Sequence, residues 1–268
     1  MRFGNVNQED LHKNITAKEQ EPLPCAACRQ GTTFEKNFSM AFQPLVDLSS
    51  RETYGYEALV RGMNGEPAAT VINEVTAENI YQFDQTCRVK AIALAAQHNL
   101  TKKLSINFLP GAIHRPDACI KTTLAAAKKY DFPISRLNFE MVETDHVPEI
   151  HRLEETIDYY RKIGFNTALD DFGSGYANLD WLAYLNPDSI KIDISLIRNI
   201  DKVTKRRLIV SHLQRLASTL NVEVVAEGVE TKAERDVLAE MGVTKQQGFY
   251  FAKPQFEEFI AVPEEVFK

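Results

Sequence analysis

The sequence predicts an α/β fold, in which a barrel of about eight β-strands alternates with helices, and three observations lead to that class. Segments with strand periodicity and segments with helix periodicity follow one another over about 230 residues. The later strand candidates are short, rich in β-branched residues and continuously apolar, which is typical of buried parallel strands. Polar or acidic residues recur where these strands end. An open, doubly wound sheet is the alternative arrangement for the same pattern.

The first two strand candidates depart from a regular barrel. The segments MAFQPLVDL and YGYEALVRG are joined only by the short polar stretch SSRET. Parallel strands need a longer connection, usually a helix, whereas antiparallel strands need only a tight turn. These two segments therefore predict an antiparallel pair at the start of the barrel.

The remaining elements alternate in order along the chain. Strand candidates are followed by helix candidates whose apolar residues recur at helical spacing. The strands are KLSINF, LNFEMVE, NTALDDF, DSIKIDIS, VEVVAEGVE and, closing the series, QQGFYFAKP. The helices are a stretch near residues 116–130, EIHRLEETIDYYRKI, KRRLIVSHLQRLASTL and KAERDVLAEM.

The segment before the first strand has a different character. Residues 1–37 are polar, have little apolar periodicity and contain EPLPCAACRQG, in which Cys25 and Cys28 form a CxxC. Without a second CxxC or a nearby pair of histidines, this is an incomplete zinc signal. We predict a polar tail or linker over residues 1–37 and a barrel domain over residues 38–268.

Composition limits the classes of function. The 268 residues are 44% hydrophobic and 25% charged, as expected for a soluble protein with a full core. The net charge of −6 argues against a DNA-binding face, although bound divalent cations would let an acidic protein take a small phosphate ligand. No apolar run approaches the roughly 20 residues of a membrane span, and the amino terminus lacks signal-peptide features. We predict a cytoplasmic protein.

Polar residues mark the carboxyl ends of the strand candidates, and in a barrel those ends converge on one face. A single acid there needs no explanation, because any strand can end in a polar residue where it meets solvent. Asn107 and Glu140, however, lie inside apolar runs, where an unpaired carboxylate is costly. The full set is Glu57, Asn107, Glu140, Asp170, Asp171, Lys191, Asp193, Glu227 and Gln247.

These residue types predict a centre with two Mg²⁺ or Mn²⁺ ions. One lysine, Lys191, cannot neutralise so many carboxylates, and oxygen ligands suit these ions better than Zn²⁺. The adjacent Asp170 and Asp171 are suited to bridging, with Asp170 ligating both ions and Asp171 one. Two ions about 3.5–4 Å apart activate water and hold a phosphate. Arg61 follows Glu57 by four residues, on the same face of its strand, where its planar fork suits a phosphate.

Seven motifs in order resemble those of EAL-domain cyclic-di-GMP phosphodiesterases. They are Glu57-Ala58-Leu59 with Arg61, SINFLP, FEMVE, DDFGSG, KID, AEGVE and QGFYFAKP, and they extend over residues 40–256. The segments FDQTCRVKAIALA and INFLPGAI look most like EAL domains attached to bacterial blue-light sensors. The resemblance implies a modified TIM barrel with an antiparallel first strand, which agrees with the hairpin inferred above.

The resemblance also implies roles for individual residues. The implied metal ligands are Glu57, Asn107, Glu140, Asp170, Asp171 and Glu227. The implied catalytic residues are Lys191, which orients the attacking water, with Glu57 and Glu227. The implied substrate contacts are Gln43, Leu59, Arg61, Asp193 and Gln247. Support for the loop after Asp171 and for dimerisation is implied for Glu143, Gly173, Gly175 and Glu230; the two glycines are either hinges or simple turn formers.

The implied reaction is hydrolysis of one phosphodiester bond of cyclic di-GMP to linear pGpG, with Mg²⁺ or Mn²⁺ as cofactor. Ca²⁺ is expected to inhibit, since its larger coordination sphere suits the site poorly. A homodimer and a regulatory sensor partner are the expected assemblies. The alternative function is a non-catalytic sensor or scaffold that binds cyclic di-GMP on the same fold.

Overall fold

A computed structural model describes residues 34–109, 115–141, 150–174 and 179–268. In these ranges one mixed sheet contains nine strands. They are β1 (Phe38–Asp47), β2 (Glu52–Gly62), β3 (Lys103–Phe108), β4 (Leu137–Met141), β5 (Asn166–Phe172), β6 (Ser189–Ile192), β7 (Glu223–Ala226), β8 (Lys245–Gln246) and β9 (Gln255–Phe256).

The sheet closes into an eight-stranded barrel, which confirms the predicted fold class and excludes the open sheet. Strands β2 to β8 are parallel neighbours in chain order. Strand β1 runs antiparallel to β2 along its whole length and antiparallel to β8 at Val46 and Asp47, so it joins the two edges. The predicted antiparallel pair is therefore confirmed. The short β9 pairs with β1 at Ala41 and Phe42.

Helices surround the barrel. They are α1 (Ala69–Ile72), α2 (Ile80–Gln97), α3 (Pro116–Cys119), α4 (Lys121–Lys129), α5 (Ile150–Lys162), α6 (Leu179–Tyr184), α7 (Ile194–Ile197), α8 (Thr204–Thr219) and α9 (Lys232–Glu240). The four predicted helical stretches are present, the first as the pair α3 and α4. Within the described ranges, no helix is long and apolar enough to span a membrane.

The last predicted strand, QQGFYFAKP, is wrong beyond its first residue, since β8 ends at Gln246. The chain turns there because it meets the segment after β7. The amide nitrogens of Val229 and Tyr250 donate to the carbonyl oxygens of Gln247 and Val229, respectively, at 3.0 Å. A Cβ atom at Gly248 would lie 2.1 Å from the Val229 oxygen, so only glycine permits this approach.

The outer face of the β1–β2 hairpin is covered by the carboxyl-terminal segment. Phe259 stacks on Phe42 with ring centroids 4.0 Å apart, and it meets Tyr56 edge-on at 5.2 Å. The Tyr56 hydroxyl donates to the Ile260 carbonyl oxygen at 2.9 Å. These contacts bury the hairpin face that would otherwise lack apolar cover, because no long helix separates β1 from β2.

At the amino-terminal side, Phe34 is buried against Phe38 and Phe83. Its backbone amide donates to the side-chain oxygen of Gln82 at 2.6 Å. Phe34 belongs to the segment predicted as tail, so packing against α2 begins before β1. The division of the chain at residue 38 stays a prediction, and Cys25 and Cys28 lie outside the described residues.

Candidate metal centre

A cleft of about 340 Å³ opens at the carboxyl ends of the parallel strands. This is the face of a barrel where loops and strand ends supply side chains from different parts of the chain. Residues predicted from the sequence form much of its wall. They are Gln43, Glu57, Asp170, Asp171, Asp193, Glu227, Glu230 and Gln247.

Lys191 lies at the base of this cleft, among four carboxylates. Its Nζ atom is 2.5 Å from Glu227 Oε1, 2.6 Å from Glu140 Oε2, 3.1 Å from Asp170 Oδ1 and 3.4 Å from Glu57 Oε2. The Lys191 side chain is only 2% exposed. Strand β6 delivers it from the barrel interior, so one buried positive charge faces four negative charges.

Two amide side chains bind Glu57 directly, and a third amide supports one of them. Asn107 Nδ2 donates to Glu57 Oε1 at 2.9 Å, and Gln247 Nε2 donates to Glu57 Oε2 at 2.7 Å. Gln43, the register partner of Glu57 on β1, accepts a second bond from Gln247 Nε2 at 3.1 Å. The Gln43 amide nitrogen in turn donates to the Ala252 oxygen at 3.1 Å. This network fixes the orientation of the Glu57 carboxylate.

An irregularity in β5 brings the two adjacent aspartates to the same cleft. Side chains of neighbouring strand residues ordinarily point to opposite faces. Here the pairing with β6 shifts between Leu169 and Phe172, and Asp171 adopts a left-handed backbone with φ of 51°. Such a bulge redirects a side chain. Asp170 and Asp171 both line the cleft as a result, and Asp170 Oδ1 accepts the Asp171 amide at 3.0 Å.

The carboxylate oxygens form two groups that share one residue. Glu57, Glu140 and Asp170 each offer one oxygen within 4.8 Å of the others, and so do Asp170, Asp171 and Glu227. Asp170 belongs to both groups. Each group has the donor type that a hard divalent cation prefers, gathered closely enough to make it a candidate site.

Electrostatics in the centre reflect this crowding. Burial raises the pKa of Glu140 to about 8, with added repulsion from Glu57 and Asp170 that Lys191 only partly offsets. Burial and repulsion from Asp170 and Asp193 raise the pKa of Asp171 to about 6. Burial also raises the pKa of Glu57, but Lys191 and the hydrogen bonds from Gln247 and Asn107 outweigh it and leave that pKa below its ordinary value.

Burial raises the pKa of Glu227 well above its ordinary value, and repulsion from Asp170 adds to that effect. Burial alone would lower the pKa of Lys191, but Asp170, Glu140, Glu227 and Glu57 raise it well above its ordinary value. The lysine therefore stays charged. The cluster favours bound protons or further cations, since one ammonium does not balance the carboxylates.

The remaining predicted residues take different positions. Asp193 caps α7 by accepting the Ser195 amide at 2.9 Å, and Glu230 forms an ion pair with Arg198 at the rim. Gly173 has φ of 97°, and a Cβ atom there would lie 2.6 Å from Leu196 Cδ1.

Two predicted substrate contacts do not line the cleft, and their role stays a prediction. Leu59 and Arg61 are not part of the cleft wall, and Arg61 Nη1 donates to the Val60 oxygen at 2.7 Å. Glu143 and Gly175 lie outside the described residues.

Two residues near the centre were missed by sequence reasoning. Phe249 lines the cleft with 56% of its surface exposed, and the QGFYFAKP motif that contains it was the available signal. Asn138 Nδ2 donates to Glu140 Oε1 at 3.4 Å and to Ser105 Oγ at 2.9 Å. Its position two residues before Glu140 on β4 was the available signal, because strand residues i and i+2 share a face.

Comparison with known proteins agrees with the fold. The profile of the EAL domain matches residues 29–254. The blue light- and temperature-regulated antirepressor BluF of Escherichia coli is 31% identical over 89% of this chain and 59% of its own length. The cyclic di-GMP phosphodiesterase PA2567 of Pseudomonas aeruginosa is 30% identical over 84% of this chain and 39% of its own length. The chain thus spans well under two thirds of these two relatives.

Solved structures are similar as well. A standalone versatile EAL protein from Vibrio cholerae O395, in its c-di-GMP-bound form, has a TM-score of 0.85 and 50% identity. That match covers 87% of this chain and 98% of the other. The manganese/cy-diGMP complex of BlrP1 from Klebsiella pneumoniae at pH 9.0 has a TM-score of 0.77 and 32% identity, covering 84% and 58%. The chain described here belongs to the EAL domain family.

Proposed function

We propose that this protein hydrolyses one phosphodiester bond of cyclic di-GMP, giving linear pGpG, with two divalent cations held in the cleft. The observation that carries the proposal is the pair of carboxylate groups that share Asp170. Two ions bridged by one carboxylate are a common arrangement in enzymes that cleave phosphodiesters. The relative named as a cyclic di-GMP phosphodiesterase and the c-di-GMP-bound EAL structures support the same substrate.

The residues fit Mg²⁺ or Mn²⁺ by their chemistry. The candidate ligands are carboxylates and one amide, all oxygen donors, which these cations prefer. Glu57, Asn107, Glu140 and Asp170 would hold one ion, and Asp170, Asp171 and Glu227 the other. The raised pKa values of Glu140 and Asp171, about 8 and about 6, mark negative charge that the protein alone does not balance. When bound, the cations polarise the phosphate and lower the pKa of water.

The protein's own groups then orient the reactants. Lys191 lies within 3.1 Å of carboxylate oxygens of Glu140, Asp170 and Glu227, which are enough acceptors for its three N–H groups. Its ammonium would donate to the attacking water or to the phosphate once a bound cation takes one of these carboxylates. Hydrogen bonds from Asn107 and Gln247 fix the Glu57 carboxylate, and this would keep its orientation constant when it holds a cation. Positioning of this kind contributes a large share of the rate in phosphoryl transfer.

Groups around the cleft suit a cyclic dinucleotide. The exposed ring of Phe249 can stack on a guanine base, an interaction that proteins use with single-stranded nucleotides. Gln43 and Asp193 offer hydrogen-bonding groups to bases or sugars. Arg61 would have to leave the Val60 oxygen to reach a phosphate. The homodimer, the sensor partner and the cytoplasmic location stay predictions.

The test is incubation of the purified protein with cyclic di-GMP and either Mg²⁺ or Mn²⁺, with product followed by chromatography. We expect metal-dependent appearance of pGpG and no product in a chelated control. The matched variant is Asp170→Asn, which removes the shared charge while preserving side-chain size. If the intact ligand binds tightly but is never cleaved with either metal, the protein is a receptor and the hydrolase proposal is wrong.

A further inference from the structure

A buried ion pair lies on the outer side of the barrel, behind the candidate metal centre. Asp84 and Arg88 are one helical turn apart on α2, and their side chains are 2% and 0% exposed. Arg88 Nη2 forms a short ion pair with Asp84 Oδ2. Neither residue lines the cleft, and neither belongs to the two carboxylate groups.

The pair contacts the ends of two neighbouring strands. The Arg88 guanidinium carbon lies 5.6 Å from the ring centroid of Phe108 and 5.3 Å from that of Phe139. These rings meet edge-to-face, with centroids 5.8 Å apart. The other oxygen of Asp84, Oδ1, accepts the Leu109 backbone amide at 3.4 Å, directly after β3 ends.

The contacted residues flank two candidate metal ligands. Asn107 and Glu140 are register partners on β3 and β4. Phe108 follows Asn107 and Phe139 precedes Glu140, so each ring points away from its neighbouring ligand, on the opposite face of the strand. A displacement of either ring on the outer face moves the backbone that carries the ligand on the inner face.

We propose that Asp84 and Arg88 are positioning residues, which hold the ends of β3 and β4 so that Asn107 and Glu140 face the same cation. The reference to a cation rests on the proposed function. The guanidinium attaches both rings to α2, and the Asp84 carboxylate attaches the residue after Asn107. Together they fix the two strand ends against one turn of one helix.

Packing alone does not require charges at these positions. Removing two ions from water is costly, and apolar residues of similar volume often serve stability as well or better. An apolar pair, however, could not accept a hydrogen bond from the Leu109 amide. It also could not place a planar guanidinium against the rings of Phe108 and Phe139. Of the contacts that charge adds, those to Phe108, Phe139 and the Leu109 amide lie at the flanks of the site, and Arg88 also lies close to the Tyr160 hydroxyl on α5.

The test compares Asp84→Ala/Arg88→Met, which removes both charges, with Ile92→Val. Ile92 is fully buried one turn further along α2, so its variant perturbs the packing of the same helix while leaving both charges of the pair in place. Two quantities are measured on the full chain. They are the dissociation constant for Mn²⁺ and the Asn107 Nδ2 to Glu57 Oε1 distance in metal-free crystals.

We expect the double variant to bind Mn²⁺ about tenfold more weakly, as is typical when outer-sphere support of metal ligands is lost. Its Asn107 to Glu57 distance should exceed about 3.5 Å, and Ile92→Val should match the parent protein in both measurements. A folded double variant with parental Mn²⁺ binding and a parental distance would overturn the proposal. If the double variant does not fold, Arg88→Lys replaces it; about threefold weaker binding supports the proposal, and parental binding defeats it.

Failure of the proposed function gives a different result. A parent protein that binds Mn²⁺ but leaves cyclic di-GMP intact disproves hydrolysis, while the comparison of Mn²⁺ binding still decides the role of the pair. A parent protein that binds no Mn²⁺ disproves the metal centre. The metal-free distance then decides whether Asp84 and Arg88 position Asn107.

Discussion

The two halves of the barrel interior differ sharply in how their polar groups are compensated. In the lower half, near the amino ends of the parallel strands, polar groups pair with one another. Asn138 donates to Ser105 at 2.9 Å, and Lys103 donates to Asn166 at 3.3 Å. A space of about 20 Å³, enough for one water molecule, lies between these groups and Glu140 and Lys191. In the upper half, four carboxylates surround Lys191 beneath a cleft of about 340 Å³.

Along a strand, the two halves are separated by two residues, which is the distance between successive side chains on one face. On β4, Asn138 belongs to the lower half and Glu140 to the upper; on β6, Ser189 and Lys191 are divided in the same way. The barrel therefore tolerates a polar interior at little cost where the groups are paired. The unbalanced charge above is not required by the fold, and it reduces the stability of the metal-free protein. Such a cost at one end of a scaffold indicates a functional site.

The largest effect is expected from changing Asp170 in the upper half. Asp170→Asn should lower turnover of cyclic di-GMP at least about 100-fold, because Asp170 belongs to both carboxylate groups and directly held ligands matter more than their supports. Burial raises the pKa of Asp170, so its charge costs stability at neutral pH. The variant should therefore unfold at the same temperature or higher without metal. Turnover by chromatography and thermal unfolding measure the two effects.

Asp188→Asn is the matched change at an aspartate outside the carboxylate cluster, directly before β6. Asp188 Oδ2 accepts the Thr167 amide at 2.8 Å and the Thr167 hydroxyl at 3.0 Å, and Oδ1 pairs with Arg161 Nε at 3.2 Å, so both oxygens have partners within the protein. This variant should lose about 1–2 kcal/mol of unfolding free energy and keep parental turnover. Destabilisation by Asp170→Asn together with parental turnover would show that Asp170, like Asp188, has a structural and not a functional role.

A second prediction concerns the identity of the cation in the upper half. Turnover in Ca²⁺ should be at least about tenfold lower than in Mn²⁺, because Ca²⁺ takes more ligands at longer distances than this compact set offers. Parallel assays at equal, saturating concentrations of each ion measure the effect. Equal turnover in both ions would show that the geometry of the carboxylates does not select the smaller cation.

A third prediction is that cations offset the cost of the upper half. Saturation with Mn²⁺ at about 100 times its dissociation constant should stabilise the fold by about 2.7 kcal/mol, or about 5–10 °C in melting temperature. Asp170→Asn should show a much smaller shift, and Asp188→Asn the parental shift. Sodium chloride at equal ionic strength is the control, since general screening acts on all three proteins alike.

Much of the fold could be predicted because its signals are local. Short β-branched strands and the tight link between β1 and β2 gave the order of the barrel. The longest helix, α2, gave only a weak signal: Cys87 lies in a helical pattern, but the segment was not predicted as one of the helices between the strands. It is buried over most of its surface, including Asp84, Gln85 and Arg88, so it lacks the polar face on which helical periodicity depends. The two-residue β9 exists only through its pairing with β1, which no local pattern encodes.

The site was predictable for residues at strand ends and less so elsewhere. Strand alternation alone places Glu57, Glu140 and Lys191 inside the barrel. It does not place Asp170 and Asp171 together, since adjacent strand residues should diverge; the bulge and the left-handed Asp171 bring that about. Alternation also puts Arg61 on the same face as Glu57, but its side chain bonds to the Val60 oxygen and does not line the cleft, which alternation alone could not predict.

The smallest effect is expected at the boundary between the two halves. Asn138→Ala removes a bond of 2.9 Å to Ser105 and a longer one of 3.4 Å to Glu140, whereas Ser105→Ala removes only the first. Both variants should lose about 1 kcal/mol of unfolding free energy. Only Asn138→Ala should weaken Mn²⁺ binding, by about two- to threefold, because a bond this long orients Glu140 only slightly. If Asn138→Ala bound Mn²⁺ tenfold more weakly, the lower half would be part of the site. If Ser105→Ala weakened Mn²⁺ binding equally, changes throughout the barrel interior would affect the metal.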